Sequence, residues 1–90
     1  MKYFDWSEEK NKLLKKIRNI SFEEILLLIE NGHILDIVEN NNTKYQNQKI
    51  FIIEKDNHAY NIPFVEDEKK YFLKTIYPSR YSTKKYLKKK

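Results

Sequence analysis

The residues of this sequence best suited to chemistry lie close together near its C-terminal end. Four basic residues are interleaved there with four tyrosines, namely Lys74, Arg80, Lys84 and Lys85 among Tyr71, Tyr77, Tyr81 and Tyr86. Cationic side chains neutralise phosphates, and phenol rings offer planar surfaces on which unstacked bases can lie. This pattern favours contact with single-stranded RNA over the alternative of a solvated basic segment with tyrosines packed into a sheet.

Charge is distributed unevenly along the 90 residues. Residues 1–68 contain nine basic and all 13 acidic residues, a net charge of −4, whereas residues 69–90 contain nine basic residues and no acidic one, a net charge of +9. A localised cationic field recruits polyanions and is screened by salt. We interpret the last three lysines, residues 88–90, as a solvated flexible tail only.

RNA can be cleaved without a metal when a 2′-hydroxyl attacks the neighbouring phosphate. The site then needs a proton acceptor, a cation against the developing negative charge and a proton donor to the departing 5′-oxygen. Arg80 suits the cationic role, because its planar guanidinium can bind two phosphate oxygens and stays charged. Lys74 and Lys84 are expected to share that role.

The proton-transferring residue is less determined by the sequence. Tyr86, His58 and Glu54 are the candidates, and Tyr86 would need its pKa lowered by adjacent lysines. Tyr71, Tyr77, Tyr81 and Lys85 are expected to bind RNA without taking part in proton transfer. A packed amphipathic side chain is the alternative for each tyrosine.

Motifs of other chemistries do not occur in the chain. It has one glycine and no cysteine, and we find no phosphate-binding glycine loop, HExxH motif, EF-hand loop or glycine-flanked nucleophilic serine. His33 and His58 lack metal-ligand spacing, and we interpret both as surface histidines. We therefore expect neither a metal nor another cofactor.

A cytoplasmic location follows from three features of the sequence. Cysteine is lacking, the first ten residues are charged where a signal peptide is apolar, and the longest apolar stretch is residues 25–29. A membrane-spanning helix needs about 20 apolar residues. We expect no contact with a membrane.

The elements that must position the C-terminal residues are predicted from apolar spacing and capping residues. A chain this short forms a single domain, here residues 1–90. Ser7 caps a helix predicted over 7–17. Ser21 with Glu24 forms a capping box for a second helix, which ends at Asn31-Gly32.

Strands follow the second helix. Residues 3–6 form a candidate edge strand, and alternating apolar residues predict further strands from residue 33, over 49–54, through 60–64 and over 71–77. An Asn-rich loop occupies 40–47, and Asp56-Asn57 marks a tight turn. Pro63 requires a sheet edge or a bulge, and Ser82 or Thr83 caps a short terminal helix. The predicted class is α+β, with two N-terminal helices on one face of a four-stranded antiparallel sheet and a short C-terminal helix.

Three segments together resemble the BrnT toxins. They are Phe4-Asp5-Trp6, the run Ile20-Ser21-Phe22-Glu23-Glu24, and the closing run from Ile76 to Thr83 with Lys84 and Tyr86. The resemblance extends over nearly the whole chain and implies a RelE-like fold. It also implies the toxin of a type II toxin-antitoxin module, a ribonuclease that inhibits translation and growth. Its partner would be a small DNA-binding antitoxin with an acidic segment, which masks the toxin and represses the shared operon.

The chain departs from the BrnT pattern at two places. Arg18-Asn19 stands where the family tends to have His-Gly, and Pro78-Ser79-Arg80 stands where it has Ser-Ala-Arg. The first departure removes the histidine to which the family pattern would assign an acid or base role. Arg80 and Thr83 align directly.

Two further classes of function remain open alongside the ribonuclease toxin. One is a non-catalytic module in which the same residues only hold RNA or DNA phosphates. The other is an interaction protein whose basic C-terminal end binds an acidic partner.

Overall fold

The computed structural model of the protein describes residues 2–39 and 48–87. Within them the chain forms β1 (Tyr3–Trp6), α1 (Glu8–Arg18), α2 (Phe22–Glu30), β2 (Ile34–Glu39), β3 (Gln48–Lys55), β4 (His58–Glu66), β5 (Lys70–Leu73), β6 (Tyr77–Pro78) and α3 (Arg80–Tyr86). The α+β class is confirmed. The predicted loop at 40–47 and the predicted tail at 88–90 lie outside the described residues.

Both N-terminal helices begin where their capping residues predict. The Ser7 hydroxyl accepts a hydrogen bond from the Lys10 amide at 3.3 Å, and the Ser21 hydroxyl accepts one from the Glu24 amide at 3.2 Å. Each bond satisfies an amide that the first helical turn leaves without a partner. Helix α1 ends at Asn19, whose φ of 56° is left-handed.

Two turns adopt the left-handed backbone conformation that their residues favour. Gly32 follows α2 with a φ of +83°, which is the conformation that glycine supplies after a helix. Asp56 and Asn57 have φ values of 55° and 65° and connect β3 to β4 as a two-residue loop. Positive φ at both positions matches the twist of the flanking strands. The predicted turns are confirmed.

The sheet differs from the predicted four-stranded antiparallel one. Six strands form a mixed sheet in the order β1-β5-β4-β3-β2, with β6 also paired to β4. Strand β1 lies at the edge, as predicted, but it runs parallel to β5. The other pairs are antiparallel.

The predicted strand over 71–77 is divided into β5 and β6. Leu73 and Ile76 are both buried in the same hydrophobic cluster. Residues three apart face opposite sides of a regular strand, so the chain must leave the strand geometry to bury both. It does so at residues 74–76, which lie between β5 and β6.

Pro63, predicted at a sheet edge or a bulge, lies in an interior strand next to an interruption of the sheet. It is opposite Ile50 of β3, and its carbonyl accepts a hydrogen bond from the Lys74 amide at 2.8 Å. The N and C=O of one strand residue face the same neighbour. The nitrogen of Pro63, which has no hydrogen to donate, therefore faces the interruption at 74–76 and leaves no ladder bond unmade.

Helices cover both faces of the sheet, whereas a single helical layer was predicted. On one face, residues of α1 and α2 such as Leu14, Phe22 and Ile25 pack against Phe51 and Phe64. On the opposite face, Ile50, Ile52 and Ala59 contact Tyr86 and Leu87 at the end of α3. The physical reason lies in β3, whose residues 50–53 are all buried and therefore apolar on both sides.

Helices α1 and α2 are joined by one buried polar residue. Asn11 is 1% exposed. Its side-chain oxygen accepts a hydrogen bond from the Phe22 amide, and its side-chain nitrogen donates one to Glu23, both at 2.8 Å. The Asn11 side chain thus caps the first turn of α2 and orients the two helices against the sheet.

Replacing Asn11 with alanine should lower the free energy of unfolding by about 1–3 kcal/mol, because the buried Phe22 amide is left without an acceptor. Urea denaturation would measure the change as a lower midpoint at constant slope. Lys12→Ala, at the exposed neighbouring position, is the control and should change stability by less than about 0.5 kcal/mol. Equal midpoints for the two variants would contradict the capping role.

Candidate nucleic-acid interface

One hydroxyl group caps helix α3, and two others hold it against β4. The Ser79 hydroxyl accepts from the Ser82 amide at 3.1 Å and caps the helix, so the predicted caps Ser82 and Thr83 are wrong. The Ser82 hydroxyl, in a residue only 2% exposed, donates to the Asn61 side chain at 2.9 Å. The Thr83 hydroxyl donates to the Ser79 carbonyl and accepts from the Ala59 amide, both at 2.8 Å.

A groove lies between the β3–β4 turn and the start of α3. Its volume is about 910 Å³, and its lining residues are Asn57, His58, Pro78, Ser79, Arg80, Thr83 and Lys84. His58 is 22 residues from Arg80 in sequence, and Arg80 is four residues before Lys84 on the helix. The fold therefore brings three of the six residues considered for catalysis to one site.

The imidazole of His58 is oriented by the turn that precedes it. Its Nδ1 lies 3.0 Å from the carbonyl oxygen of Asp56. A carbonyl oxygen can only accept, so Nδ1 carries the hydrogen of this bond. In the neutral ring Nε2 is then the proton acceptor. His58 thus has the tautomer that a general base requires.

The groove has a strongly cationic wall. Arg80 and Lys84 are exposed, and neither forms an ion pair with any residue of the described ranges 2–39 and 48–87. Helix α3 has no acidic residue in its first turn and has Lys84 and Lys85 in its last. Both charges at the groove remain available to an anionic ligand.

Tyr81 and Lys85 form an exposed pair on the neighbouring side of α3. Tyr81 is 73% exposed, and the Lys85 ammonium lies 5.8 Å from its ring centroid. The same ammonium lies 5.4 Å from the ring of Tyr86. An accessible ring next to a cation is suited to contact with a base and its phosphate.

Tyr86 is placed differently from what a base requires. Its hydroxyl donates to the Asp36 carboxylate at 2.6 Å. This bond, with burial of the phenol, raises the pKa of Tyr86 to about 12. The lowered pKa that a catalytic Tyr86 would need is therefore not met, because the nearest partner of the hydroxyl is an anion that favours the protonated phenol. The hydrogen bond from Tyr86 also lowers the pKa of Asp36.

Three other predicted residues lie away from the groove. Tyr71 is half-buried and stacks on Phe4, with ring centroids 5.1 Å apart, so it belongs to the core. Tyr77 lies in β6, opposite Asn61 of β4. Lys74 is exposed at the interruption of the β5–β6 edge, with its ammonium 5.7 Å from the ring of Phe72.

Glu54 lines a second cavity of about 490 Å³ on the other side of the β3–β4 turn. Its carboxylate contacts Nδ1 of His33 at 3.0 Å and accepts from the Asn57 amide at 3.1 Å. Both hydrogen bonds lower the pKa of Glu54, and the one with His33 has the larger effect. A carboxylate with a lowered pKa is a weaker base, so Glu54 is less suited to proton transfer than His58.

Sequence reasoning missed Asn57, Pro78 and Ser79 as lining residues of the groove. Signals for two of them were present: Asn57 was read as a turn residue, and Ser79 precedes the basic helix as a capping residue does. Their proximity to each other depends on how α3 packs on the sheet. Neither signal contains that information.

Comparison with known proteins identifies no relative: no protein-family model, curated protein or solved structure matches the chain. None of the helices within 2–39 and 48–87 has the length and apolar character needed to cross a membrane. Over the same residues, no group of three or more His, Cys, Asp or Glu side chains is arranged to hold a metal ion.

Alkaline titration should detect the raised pKa of Tyr86. Its pKa of about 12 exceeds the ordinary value of about 10, so its contribution to stability is complete below about pH 10 and is lost as the pH rises through the folded value. Replacing Tyr86 with phenylalanine should remove the component at about 12 from the ultraviolet phenolate titration. Tyr81→Phe is the matched control and should leave that component in place; its disappearance there would refute the assignment.

Proposed function

We propose that the chain is the toxin of a type II toxin-antitoxin module, a metal-independent endoribonuclease whose active site is the groove between the β3–β4 turn and α3. One observation carries the proposal: His58 from the turn and Arg80 and Lys84 from the helix line the same groove. A proton acceptor and two cations are the groups that cleavage by a 2′-hydroxyl requires.

Each residue has a defined task in this reaction. Nε2 of His58 takes the proton of the 2′-hydroxyl while the 2′-oxygen attacks phosphorus. The Arg80 guanidinium binds the non-bridging oxygens, where negative charge develops. The bond from phosphorus to the 5′-oxygen breaks, and the Lys84 ammonium supplies a proton to that oxygen. The products are a 2′,3′-cyclic phosphate and a 5′-hydroxyl end.

The neighbouring residues support this assignment by fixing the backbone positions from which the reacting side chains extend. Arg80 directly follows the helix-capping Ser79, and Lys84 directly follows Thr83, which is bonded to β4. The hydrogen bond to the Asp56 carbonyl orients the His58 ring. Catalytic groups act efficiently when surrounding contacts hold them in place before the substrate binds.

The resemblance to the BrnT toxins supports the toxin assignment. At one of the two positions where the sequence departs from the family pattern, the backbone conformation is one that the family residue would also adopt. Asn19, at the position of the family glycine, has a left-handed φ of 56°. Asparagine is the residue other than glycine that most readily adopts this conformation. The backbone at the end of α1 thus retains the conformation that a glycine would have there. The Arg18 guanidinium stays protonated and cannot accept a proton in place of the family histidine, and His58 takes the role of base in this proposal.

An antitoxin with an acidic segment is the protein partner that fits this site. The groove residues Arg80 and Lys84 have no ion pair within 2–39 and 48–87, so a segment of Asp and Glu would neutralise them and exclude RNA from the groove. The same surface then accounts for activity and for inhibition. The cytoplasm is the proposed location, where both RNA and the antitoxin are present.

A non-catalytic nucleic-acid-binding module is the second candidate. The observation in its favour is the exposed Tyr81–Lys85 pair, which provides stacking and charge but no proton transfer. Such a module would bind RNA with a steep dependence on salt and leave it intact. A protein that binds only an acidic partner, the third class, would bind no nucleic acid even at low salt.

Replacing Arg80 with alanine should lower the rate of RNA cleavage by about 100-fold or more, because the phosphate loses its bidentate cation in the transition state. Cleavage of end-labelled single-stranded RNA measures this rate, and expression of the variant should no longer arrest growth. Arg18→Ala is the matched control, since Arg18 is the only other arginine in the chain and is exposed on α1.

The outcomes separate the candidate functions. Retained cleavage in the Arg80 variant would refute the active site proposed here. If the wild-type protein binds RNA but cleaves none, the non-catalytic module is correct. Replacing the 2′-hydroxyl at the cleavage site with hydrogen should abolish cleavage without abolishing binding, and continued cleavage of that strand would exclude the proposed mechanism.

Replacing His58 with alanine should lower the cleavage rate by about 100-fold to 10,000-fold, the usual contribution of a general base. Binding of an RNA with 2′-deoxy substitution at the cleavage site should change little. His33→Ala tests the other histidine of the chain, which is bonded to Glu54 in the second cavity. Similar rates for the two variants would show that His58 is not the base.

A further inference from the structure

Strand β5 presents a row of alternating basic and aromatic side chains. Lys70 and Lys74 are two residues before and two residues after Phe72 in the sequence, and their ammonium groups lie 5.5 Å and 5.7 Å from its ring centroid. Phe72 is half-buried. A cation next to an aromatic face is favourable by itself. The Phe72 ring is thus a planar group close to two positive charges.

This row lies on the same face of the sheet as α3. In the register of β5 with β4, Phe72 is opposite Val65, while Tyr71 points to the other face and packs on Phe4. Neighbouring β1 places Tyr3 opposite Lys70 and Asp5 opposite Phe72. Tyr3 is 55% exposed, so this part of the face is accessible beyond the edge of the helix.

The charge balance of the row favours an anion. Lys74 has no ion pair within the described residues, and Lys70 has one, to Asp5 at 3.2 Å. The nearby Glu66 carboxylate is directed to the opposite face, where it pairs with Lys2 and Lys49. Lys70 thus has Asp5 and the nearby Asp67 as negative neighbours, and the ammonium of Lys74 is the charge of the row that is left for an anion.

The row continues towards the proposed active site. After Lys74 the chain enters β6, where Tyr77 lies opposite Asn61 and hence on the face that α3 covers. Arg80 of the groove follows three residues later. Five residues of extended chain, as from Phe72 to Tyr77, span at most about 18 Å. This upper limit is greater than the length of a single nucleotide.

We propose that Lys70, Phe72 and Lys74, which we call the β5 row, bind a nucleotide of single-stranded RNA that flanks the one held in the groove. An unstacked base lies on the Phe72 ring, and the adjacent phosphates contact the two ammonium groups. The inference rests on the proposed function for the presence of RNA in the groove. The β5 row is a second binding site for the same RNA molecule. Together with the groove it selects substrates longer than a few nucleotides.

The alternation of charge and ring distinguishes RNA from an acidic protein segment as the ligand. A nucleic acid strand repeats a planar base and an anionic phosphate, and the β5 row repeats a ring and a cation. An acidic peptide would use the lysines but gain little from Phe72. The contribution of the ring is therefore the quantity to measure.

The experiment measures how tightly RNAs of two lengths bind to the wild-type chain and to three of its variants. A strand of about three nucleotides reaches only the groove, whereas one of about ten nucleotides also reaches β5. Phe72→Leu, which keeps an apolar side chain, and Lys74→Ala should each weaken binding of the longer RNA by about tenfold and leave the shorter one unaffected. Wild type and Lys12→Ala, an exposed lysine on α1, are the references.

Asp5→Asn provides a test by gain of affinity. It removes the negative charge beside Lys70, and the asparagine oxygen can still accept the hydrogen bond from the Trp6 amide. The variant should bind the longer RNA more tightly by a factor of about three, with no change for the shorter RNA. Weaker or unchanged binding of the longer strand would count against a role for Lys70.

The remaining outcomes separate this inference from the proposed function. If Arg80→Ala impairs binding of both lengths and the Phe72 and Lys74 variants impair neither, the β5 row is not a binding site and the groove proposal stands. If the wild type binds the longer RNA through the row but cleaves nothing, the row stands and the ribonuclease does not. If those variants lose only binding of a polyglutamate peptide, the row is a protein-docking surface and this inference is overturned.

Discussion

The groove depends most directly on the two hydrogen bonds of the Thr83 hydroxyl. Thr83 donates to the Ser79 carbonyl in the first turn of the helix and accepts from the Ala59 amide of β4, both at 2.8 Å. The Ala59 amide would otherwise be a buried donor without a partner, at a cost of about 1–3 kcal/mol. The bond therefore fixes α3 relative to the strand that begins at His58, and the groove exists because these two elements are held together.

Residues around that contact explain why a sheet with helices on both faces is stable in so short a chain. Strand β3 is buried on both sides at residues 50–53, so one helical layer would leave half of its apolar surface in water. Helices α1 and α2 cover one side, and Tyr86 and Leu87 of the C-terminal segment cover part of the other. The segment with the most positive charge is thus also a structural component of the core. Its charged residues Arg80 and Lys84 remain exposed because Ser82 and Tyr86 occupy the side of the helix that faces the sheet.

The tyrosines near the C-terminal end have different structural roles. Tyr86 is bonded to Asp36 and holds α3 to β2, Tyr71 packs among the core aromatic rings, and Tyr81 is exposed next to Lys85. One tyrosine thus forms a structural hydrogen bond, one packs in the core and one is accessible on the surface. In the proposed ribonuclease only the last of these is free to contact RNA. Proton transfer is left to His58, which lies outside the basic segment in the sequence.

Local signals in the sequence were sufficient for the elements that depend on neighbouring residues. The capping serines 7 and 21, the glycine after α2 and the Asp56-Asn57 turn each act within about four residues, and each was predicted correctly. The concentration of positive charge at the C-terminal end is likewise a property of the sequence alone. These features specify the α+β class, two N-terminal helices and a hairpin, and they indicate an anionic ligand.

Tertiary structure decided everything that depends on pairing between distant residues. The parallel pairing of β1 with β5 joins residues more than 60 positions apart, and the interruption at 74–76 arises because Leu73 and Ile76 must both enter one core. Alternation along the strand could not reveal either. The sequence placed Tyr86 among the proton-transfer candidates beside His58, and packing separated them by giving Tyr86 an aspartate partner and His58 a place near Arg80. The basic segment was evident from composition, but which of its residues face a ligand depends on the side of α3 that the sheet buries.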